Sequence, residues 1–255
     1  MRAALLVALS AVSSLVAQEK EREEPRFKIG TAFAGGRFSF DTDGSGLDDS
    51  ADAGLFRLSF EAVGRKGIGG GVRFESIVTD DDLFQGTGFA SAEAFNGSIF
   101  GHFTYRIDQH RFSMPLRAGL LANALVLDQR FTVGAGDGDV EYLSFGPYFE
   151  IAPEFEVVHA KKFRWSFYGE LGFGFGGTAI NIDGDPRDYQ SVTVFSAIEA
   201  GTRFRFGFAE LGIAYLGRLQ AMDESDVEFF AGNPQVALGY DSDFQGLLLS
   251  FAARF

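Results

Sequence analysis

The chain contains no cysteine, which excludes disulfides, thiolate metal sites and a cysteine nucleophile. Histidine is almost as scarce, with three in 255 residues, so imidazole chemistry is confined to His102, His110 and His159. Positive charge is in deficit: 22 Lys and Arg stand against 35 Asp and Glu, a net charge of −13. A surface of that sign repels phosphates and argues against nucleic acid as a partner. Past the N-terminus there is no long uninterrupted apolar run, so no second helical membrane span is encoded. Proline is rare and sustained helical periodicity is missing, while 30 Phe and 33 Gly are present. Aromatics with glycine suit strands and tight turns rather than a helical bundle.

The first eighteen residues, "MRAALLVALSAVSSLVAQ", carry one arginine, an apolar stretch from Ala3 and small residues up to Ala17. That is the layout of a secretory signal peptide cleaved after Ala17. The stretch falls short of the roughly 20 apolar residues that a spanning helix needs. Residues 1–17 are therefore expected to be a leader, residues 18–25 a short charged periplasmic segment, and residues 26–255 the folded body.

From Arg26 onward, segments alternate apolar and polar with a period of two. "LFRLSFEAVGR" sets Phe56, Leu58 and Phe60 against Arg57, Ser59 and Glu61. "FRWSFYGELGFGFGG" sets Phe163, Trp165, Phe167, Leu171, Phe173 and Phe175 against Arg164, Ser166, Tyr168 and Glu170. About ten such segments reach the C-terminus; eight or twelve strands would satisfy the same pattern. Short turns are expected near 65–68, 108–111, 159–162 and 204–206. Long loops are expected at 41–54, 80–96, 128–140, 179–190 and 219–243. Alternating short turns and long loops are the layout of a closed, antiparallel, up-and-down transmembrane β-barrel of the bacterial outer membrane.

The composition of the two faces supports that orientation. The apolar face is dense in Phe and Leu. The other face holds Lys28, Arg57, Arg73, Arg106, Arg117, Arg164, Arg203, Arg218 and Arg254 among Glu61, Glu75, Glu150, Glu154, Glu156, Glu170, Glu199 and Glu210. All but one of the cations is arginine, whose planar fork binds two carboxylate oxygens in confined space. Backbone polar groups in lipid find no water, so the sheet must close on itself. The Phe and Leu face then meets lipid and the charges pair within. The lumen network expected from this register is Arg57, Glu61, Arg73, Glu75, Arg106, Arg117, Glu150, Arg164, Glu170, Glu199, Arg203 and Glu210. The competing architecture is a secreted β-sandwich or lipocalin-like barrel with its apolar face inside. Tyr105, Phe163, Trp165, Tyr215 and Phe255 are candidates for an interfacial aromatic girdle.

The chain ends "LLLSFAARF", with Leu247, Leu249, Phe251, Ala253 and Phe255 on one face. This ending resembles the C-terminal assembly signal of bacterial outer-membrane barrels, and the architecture resembles the small OmpA-like and OmpW-like barrels. The resemblance implies that Phe251 and Phe255 are read by the barrel-assembly machinery and that the last strand closes the sheet on the first. It also implies outer-membrane lipid as the immediate partner. It says nothing of the oligomeric state.

Chemistry is sparse. Outer-membrane lipid hydrolases pair His with Ser, whereas "GHFTYR" offers His102 with Thr104. Proteases of the omptin family carry Asp-x-His at the outer rim, but "DQH", Asp108 to His110, falls at an expected periplasmic turn. The expectation is a barrel with no catalytic site, in a structural or interaction role or as a narrow cation-favouring pore through the glycine-rich stretch 172–177. A surface lipid or peptide hydrolase is the alternative. "DTDGSGLDDSAD" resembles the calcium loop of EF-hand proteins, with Asp41, Asp43, Ser45, Asp49 and Asp52 at ligand positions. Asp183, Asp185 and Asp188 form a weaker candidate. Calcium at the first loop is set against the simpler reading that Asp and Gly make soluble turns.

Overall fold

The computed structural model describes residues 26–42, 48–80, 83–84, 90–131, 138–160, 163–183, 189–230, 233–235 and 237–255. The expected signal peptide and the 18–25 segment lie outside the described residues. The barrel strands are β1 (Arg26–Thr42), β2 (Asp48–Val63), β3 (Ile68–Thr79), β4 (Ala90–Gln109) and β5 (Phe112–Phe131). They continue with β6 (Gly138–Ile151), β7 (Glu154–His159), β8 (Phe163–Ile182), β9 (Tyr189–Phe206) and β10 (Ala209–Met222). A small hairpin, β11 (Glu228–Phe230) with β12 (Asn233–Gln235), precedes the closing strand β13 (Tyr240–Arg254).

Each barrel strand pairs antiparallel with its sequence neighbour, and β13 pairs with both β10 and β1, so the sheet has no free edge. β6 and β7 act as a single strand interrupted at Ala152-Pro153; both lie between β5 and β8. The result is a closed barrel of ten strands. Closure is made at the chain's two ends, where Phe27 N–H donates to Phe255 C=O (3.0 Å) and Phe255 N–H returns the bond (2.9 Å).

The short connections all lie at the end of the barrel where β1 begins and β13 finishes. The β2–β3 turn needs the left-handed conformation that Gly67 supplies at φ 74°, and the β4–β5 turn places His110 at φ 50°. One expected turn is corrected. Residues 204–206 are strand; the reversal comes at Gly207-Phe208, so Arg205 faces the lumen rather than a turn.

The outward face is apolar over the middle of every strand. Phe33, Phe56, Phe103, Phe149, Phe173, Leu247 and Phe251 are all exposed, Phe103 to 80%. A soluble protein rarely leaves so large an apolar surface bare; in a bilayer it faces acyl chains.

At the other end of the barrel the pattern turns over. Along β1, outward Phe27, Ile29 and Phe33 give way to Arg37 and Asp41, while inward Lys28, Gly30 and Ala32 give way to Phe38 and Phe40. On β2, outward Asp48 and Asp52 sit above Phe56 and Leu58, while inward Ala51, Ala53 and Leu55 sit above Arg57. The period of two never breaks; only the polarity of each face changes. Beyond the lipid the exterior is wet, so outward residues become polar and the interior becomes an apolar core. This corrects the expectation that 41–54 is a long loop, because the β1–β2 ladder continues to the pair Asp41 and Asp48.

Candidate functional site

The lumen is filled in two layers. The lower layer is ionic. Arg57 Nε lies 2.6 Å from Glu75 Oε1 and its Nη1 2.8 Å from Glu199 Oε2. Arg73 Nη1 reaches Glu150 at 2.8 Å and Glu170 at 2.7 Å, and its Nε lies 3.3 Å from Glu75. Arg117 contacts Glu61 (3.2 Å), Glu170 (3.6 Å) and Glu150. Arg218 holds Glu75 with both Nε and Nη2 at 3.0 Å, the bidentate geometry that arginine is suited to. Strands opposite one another across the barrel supply these groups, so the network spans the lumen as well as lining it.

Nearer the short turns a second cluster gathers on Glu210, which contacts Lys28 (2.6 Å), Arg254 (2.7 Å), Arg205 (3.3 Å) and Arg203 (3.8 Å). Glu154 is held by Arg203 and by the Ser166 hydroxyl. Glu156 contacts Arg164 at 3.3 Å and His159. Arg203 also lies over the Tyr168 ring, 3.4 Å from its centroid, a cation–π contact.

Of the residues expected in the lumen network, Arg57, Glu61, Arg73, Glu75, Arg117, Glu150, Glu170 and Glu199 meet in the central cluster, and Arg203 and Glu210 in the lower one. Arg164 instead pairs with Glu156 at the turn end, and Arg106 pairs with Asp108 (2.8 Å) and Ser113 rather than with the lumen glutamates. Arg205 is a network member that sequence alone places in a turn.

The upper layer is apolar. Phe38, Phe40, Leu125, Leu127, Ile180, Tyr240 and Phe244 are all buried there. Phe40 stacks on Tyr240 (5.1 Å between centroids) and Tyr142 meets Tyr240 edge-on (4.6 Å). Leu83 and Phe84, from the β3–β4 connection, fold into the mouth, and Phe84 packs edge-on against Phe40. Sequence reasoning missed this layer because the inward face was expected to be polar along every strand, and because Leu83, Ile180 and Tyr240 lie in segments expected to be loops. The available signal was the unbroken alternation of "GGRFSFDT", with Phe38 and Phe40 one period apart.

The glycine-rich stretch packs against a side chain from the neighbouring strand. Tyr148 lies across it, so that a methyl at Gly172 would overlap the Tyr148 hydroxyl and one at Gly174 would come within 2.7 Å of its ring. These glycines make room for a buried tyrosine.

Three of the calcium-loop candidates are spread along a ladder. Asp41, Asp49 and Asp52 are on β1 and β2, with Asp52 opposite Arg37 and Asp49 opposite Phe40. Asp49 accepts hydrogen bonds from its neighbour Ser50 N–H (2.7 Å) and from Phe84 N–H. Asp43 and Ser45 lie outside the described residues, as do Asp185 and Asp188; Asp183 follows β8, its N–H bonded to Asp139 C=O (2.9 Å). Among the described residues no three His, Asp or Glu side chains are grouped to hold a metal ion.

The three histidines do not build an active site of either type considered above. His102 Nδ1 lies 3.1 Å from Thr104 Oγ1, but that hydroxyl donates to Glu61 (3.1 Å) and Thr104 is buried. A nucleophile must meet both its base and its substrate, and Thr104 is turned toward a carboxylate. His110 and His159 stand at the short-turn end, far from the outer rim where the omptin motif would sit. Phe251 and Phe255 point outward from β13, toward lipid.

No protein-family model matches the chain, and no curated protein matches it in sequence. Solved structures do. The outer membrane protease OmpT from Escherichia coli superposes with a TM-score of 0.55 at 8% identity, over 94% of this chain and 100% of that one. The chain has the fold of an outer-membrane β-barrel. Looser likenesses are the translocator domain of the autotransporter NalP from Neisseria meningitidis and the attachment invasion locus protein Ail of Yersinia pestis. The first has a TM-score of 0.43 at 11% identity, over 100% of this chain and 97% of that one. The second has a TM-score of 0.36 at 14% identity, over 91% and 100%. At these identities the likeness concerns fold and carries no activity across.

Proposed function

We propose that this chain resides in the outer membrane as a closed barrel in a structural or interaction role, presenting its outer end rather than conducting solutes. The observation that carries this reading is the filling of the lumen by two different layers, ionic pairs below and a packed aromatic core above. Barrels of about this size are filled by side chains, whereas aqueous channels need roughly 16 strands or more. The outer end supports an interaction role: Asp41, Asp48, Asp52, Asp80, Glu93, Asp139, Asp183, Asp223, Glu224, Asp226 and Asp241 are exposed there. Such a surface favours cationic partners and repels anionic ones. Export by cleavage after Ala17, and recognition of Phe251 and Phe255 by the assembly machinery, belong to the same proposal.

Planar-bilayer recording of the purified full-length barrel tests it. The expected record is flat at all applied voltages. Reproducible cation-selective steps would replace the closed-barrel reading with that of a narrow pore. A hydrolase would instead reveal itself as lipid or peptide cleavage lost on His102→Ala.

A further inference from the structure

The lower ionic cluster is not balanced. Lys28, Arg164, Arg203, Arg205 and Arg254 share three carboxylates, those of Glu154, Glu156 and Glu210. The chain's terminal carboxylate, on Phe255 beside Phe27 N–H, brings the excess down to one positive charge. The middle of the lumen has the opposite imbalance, four arginines around Glu61, Glu75, Glu150, Glu170 and Glu199. The positive excess therefore belongs to the short-turn mouth. There a cavity of about 40 Å³ lies among Lys28, Arg106, Arg117, Arg203 and Arg254, with Glu61 and Glu154 on its wall. Both carboxylates are already engaged: Glu61 accepts from Thr104 (3.1 Å) and Arg117 (3.2 Å), Glu154 from Ser166 (2.7 Å) and Arg203 (3.3 Å). One donor is left over. Arg254 gives Nη2 to Glu210 (2.7 Å), yet its Nε is buried with no hydrogen-bond partner among the described residues. Buried donors are rarely left so, because the missing bond carries the full desolvation penalty.

We infer that this mouth is a binding site for one small monovalent inorganic anion of the chloride class, accepting from Arg254 Nε–H among the surrounding cations. The size fits. The cavity exceeds the roughly 10–15 Å³ that one water requires, and chloride is little larger than water, whereas an organic anion needs far more room. The charge decides between ion and solvent. A water would satisfy Nε–H and leave the excess charge in place; a monovalent anion answers both, and a buried charge is tolerable only when it is paired. Because Nη2 anchors Arg254 to Glu210, the donor is oriented before the ion arrives. Entry is direct, since Lys28 opens β1 and Arg254 ends β13 at the short-turn end. The inference goes beyond the closed-barrel reading: the ion is held at one end and does not cross the apolar layer.

The test is ³⁵Cl NMR line broadening with the full-length barrel in zwitterionic detergent, at constant ionic strength, with empty micelles as background. Saturable broadening is expected, displaced by bromide and not by the bulky anion gluconate. Arg254→Gln removes the free donor and one charge, and should weaken chloride binding roughly tenfold, the equivalent of one charged hydrogen bond. Val63→Glu supplies a tethered carboxylate from the cavity wall and should abolish the broadening. Arg65→Gln, on an exposed turn outside the cavity, should leave it unchanged. Heat-modifiable gel migration verifies that each variant is folded, and Val63→Glu decides the matter if Arg254→Gln does not fold. Broadening that survives Val63→Glu, or that Arg65→Gln removes as fully, would mean diffuse attraction to surface cations and overturn the site. Broadening no greater than that of empty micelles would also overturn it, leaving water as the occupant of the mouth.

Discussion

If the Phe and Leu face meets lipid, an arginine on that face must be costly at mid-depth and nearly harmless past the boundary where the polarity turns over. β8 allows both to be tried on one strand. Phe167, Leu171, Phe173 and Phe175 are each at least half exposed and point outward, Trp165 lies below them near the short turn, and exposed Asn181 lies above. Leu171 is close to the centre of this band. Asn181 is ten residues further along the same strand; at about 3.3 Å per residue and a tilt near 40° that is roughly 25 Å along the membrane normal. A midplane arginine on a barrel's lipid face costs about 2–4 kcal/mol, falling to about 0–1 kcal/mol near the interface. Leu171→Arg should therefore lose about 2–4 kcal/mol and Asn181→Arg no more than about 1 kcal/mol. The measurement is reversible denaturant unfolding of the barrel refolded into phospholipid vesicles, with the slope of the transition compared among variants. Equal losses for the two substitutions, or a larger loss at Asn181, would refute both the orientation of the faces and the position of the boundary.

Arg57→Met leaves buried Glu199 with only the Tyr168 hydroxyl (2.7 Å) among its close partners. Breaking a buried pair in this way costs about 3–5 kcal/mol, and adding Glu199→Gln should recover part of it in the same unfolding assay. Gly119→Ala drives a methyl into the backbone carbonyl of Gly101, whereas a methyl at Gly35 meets nothing within 4 Å. The first should therefore destabilise by about 1–3 kcal/mol and the second by less than about 1 kcal/mol. Asp49→Ala removes the acceptor for Phe84 N–H and should destabilise by about 1–3 kcal/mol. It should also increase proteolysis of the β3–β4 connection, and an unchanged digestion pattern would show that this carboxylate does not hold Phe84 in the mouth.

The membrane-embedded half of the fold was legible because lipid outside and side chains inside impose a strict contrast on successive residues. Segments such as 55–61 and 163–175 show it without long-range information. The partners within the ionic layer were not legible. Arg57 and Glu199 are 142 residues apart, and their meeting depends on barrel circumference, strand tilt and register, none of which is written locally. The strand extensions were misread for a different reason. Asp41, Asp48 and Asp52 are turn-forming residues by composition, yet they occupy the outward positions of strands that have already left the lipid.

The same inversion explains how a small barrel can be filled by two unlike sets of side chains. Within the lipid zone the inward positions carry the charges, and these are tolerable only if each finds an opposite charge within the lumen; Arg57 with Glu199, Arg73 with Glu170 and Arg218 with Glu75 meet that condition between distant strands. Above the lipid the exterior is hydrated, so the apolar side chains needed to hold ten strands together move inside, as Phe40, Tyr142 and Tyr240 do. The ionic layer rewards matched geometry and the apolar layer rewards volume. Neither set of side chains can extend into the other without leaving a charge unpaired or a polar group dry. A gap is therefore expected where they meet, and that is the level at which Asn96, Asn123 and Gln220 stand, between Phe38 above and Arg218 below.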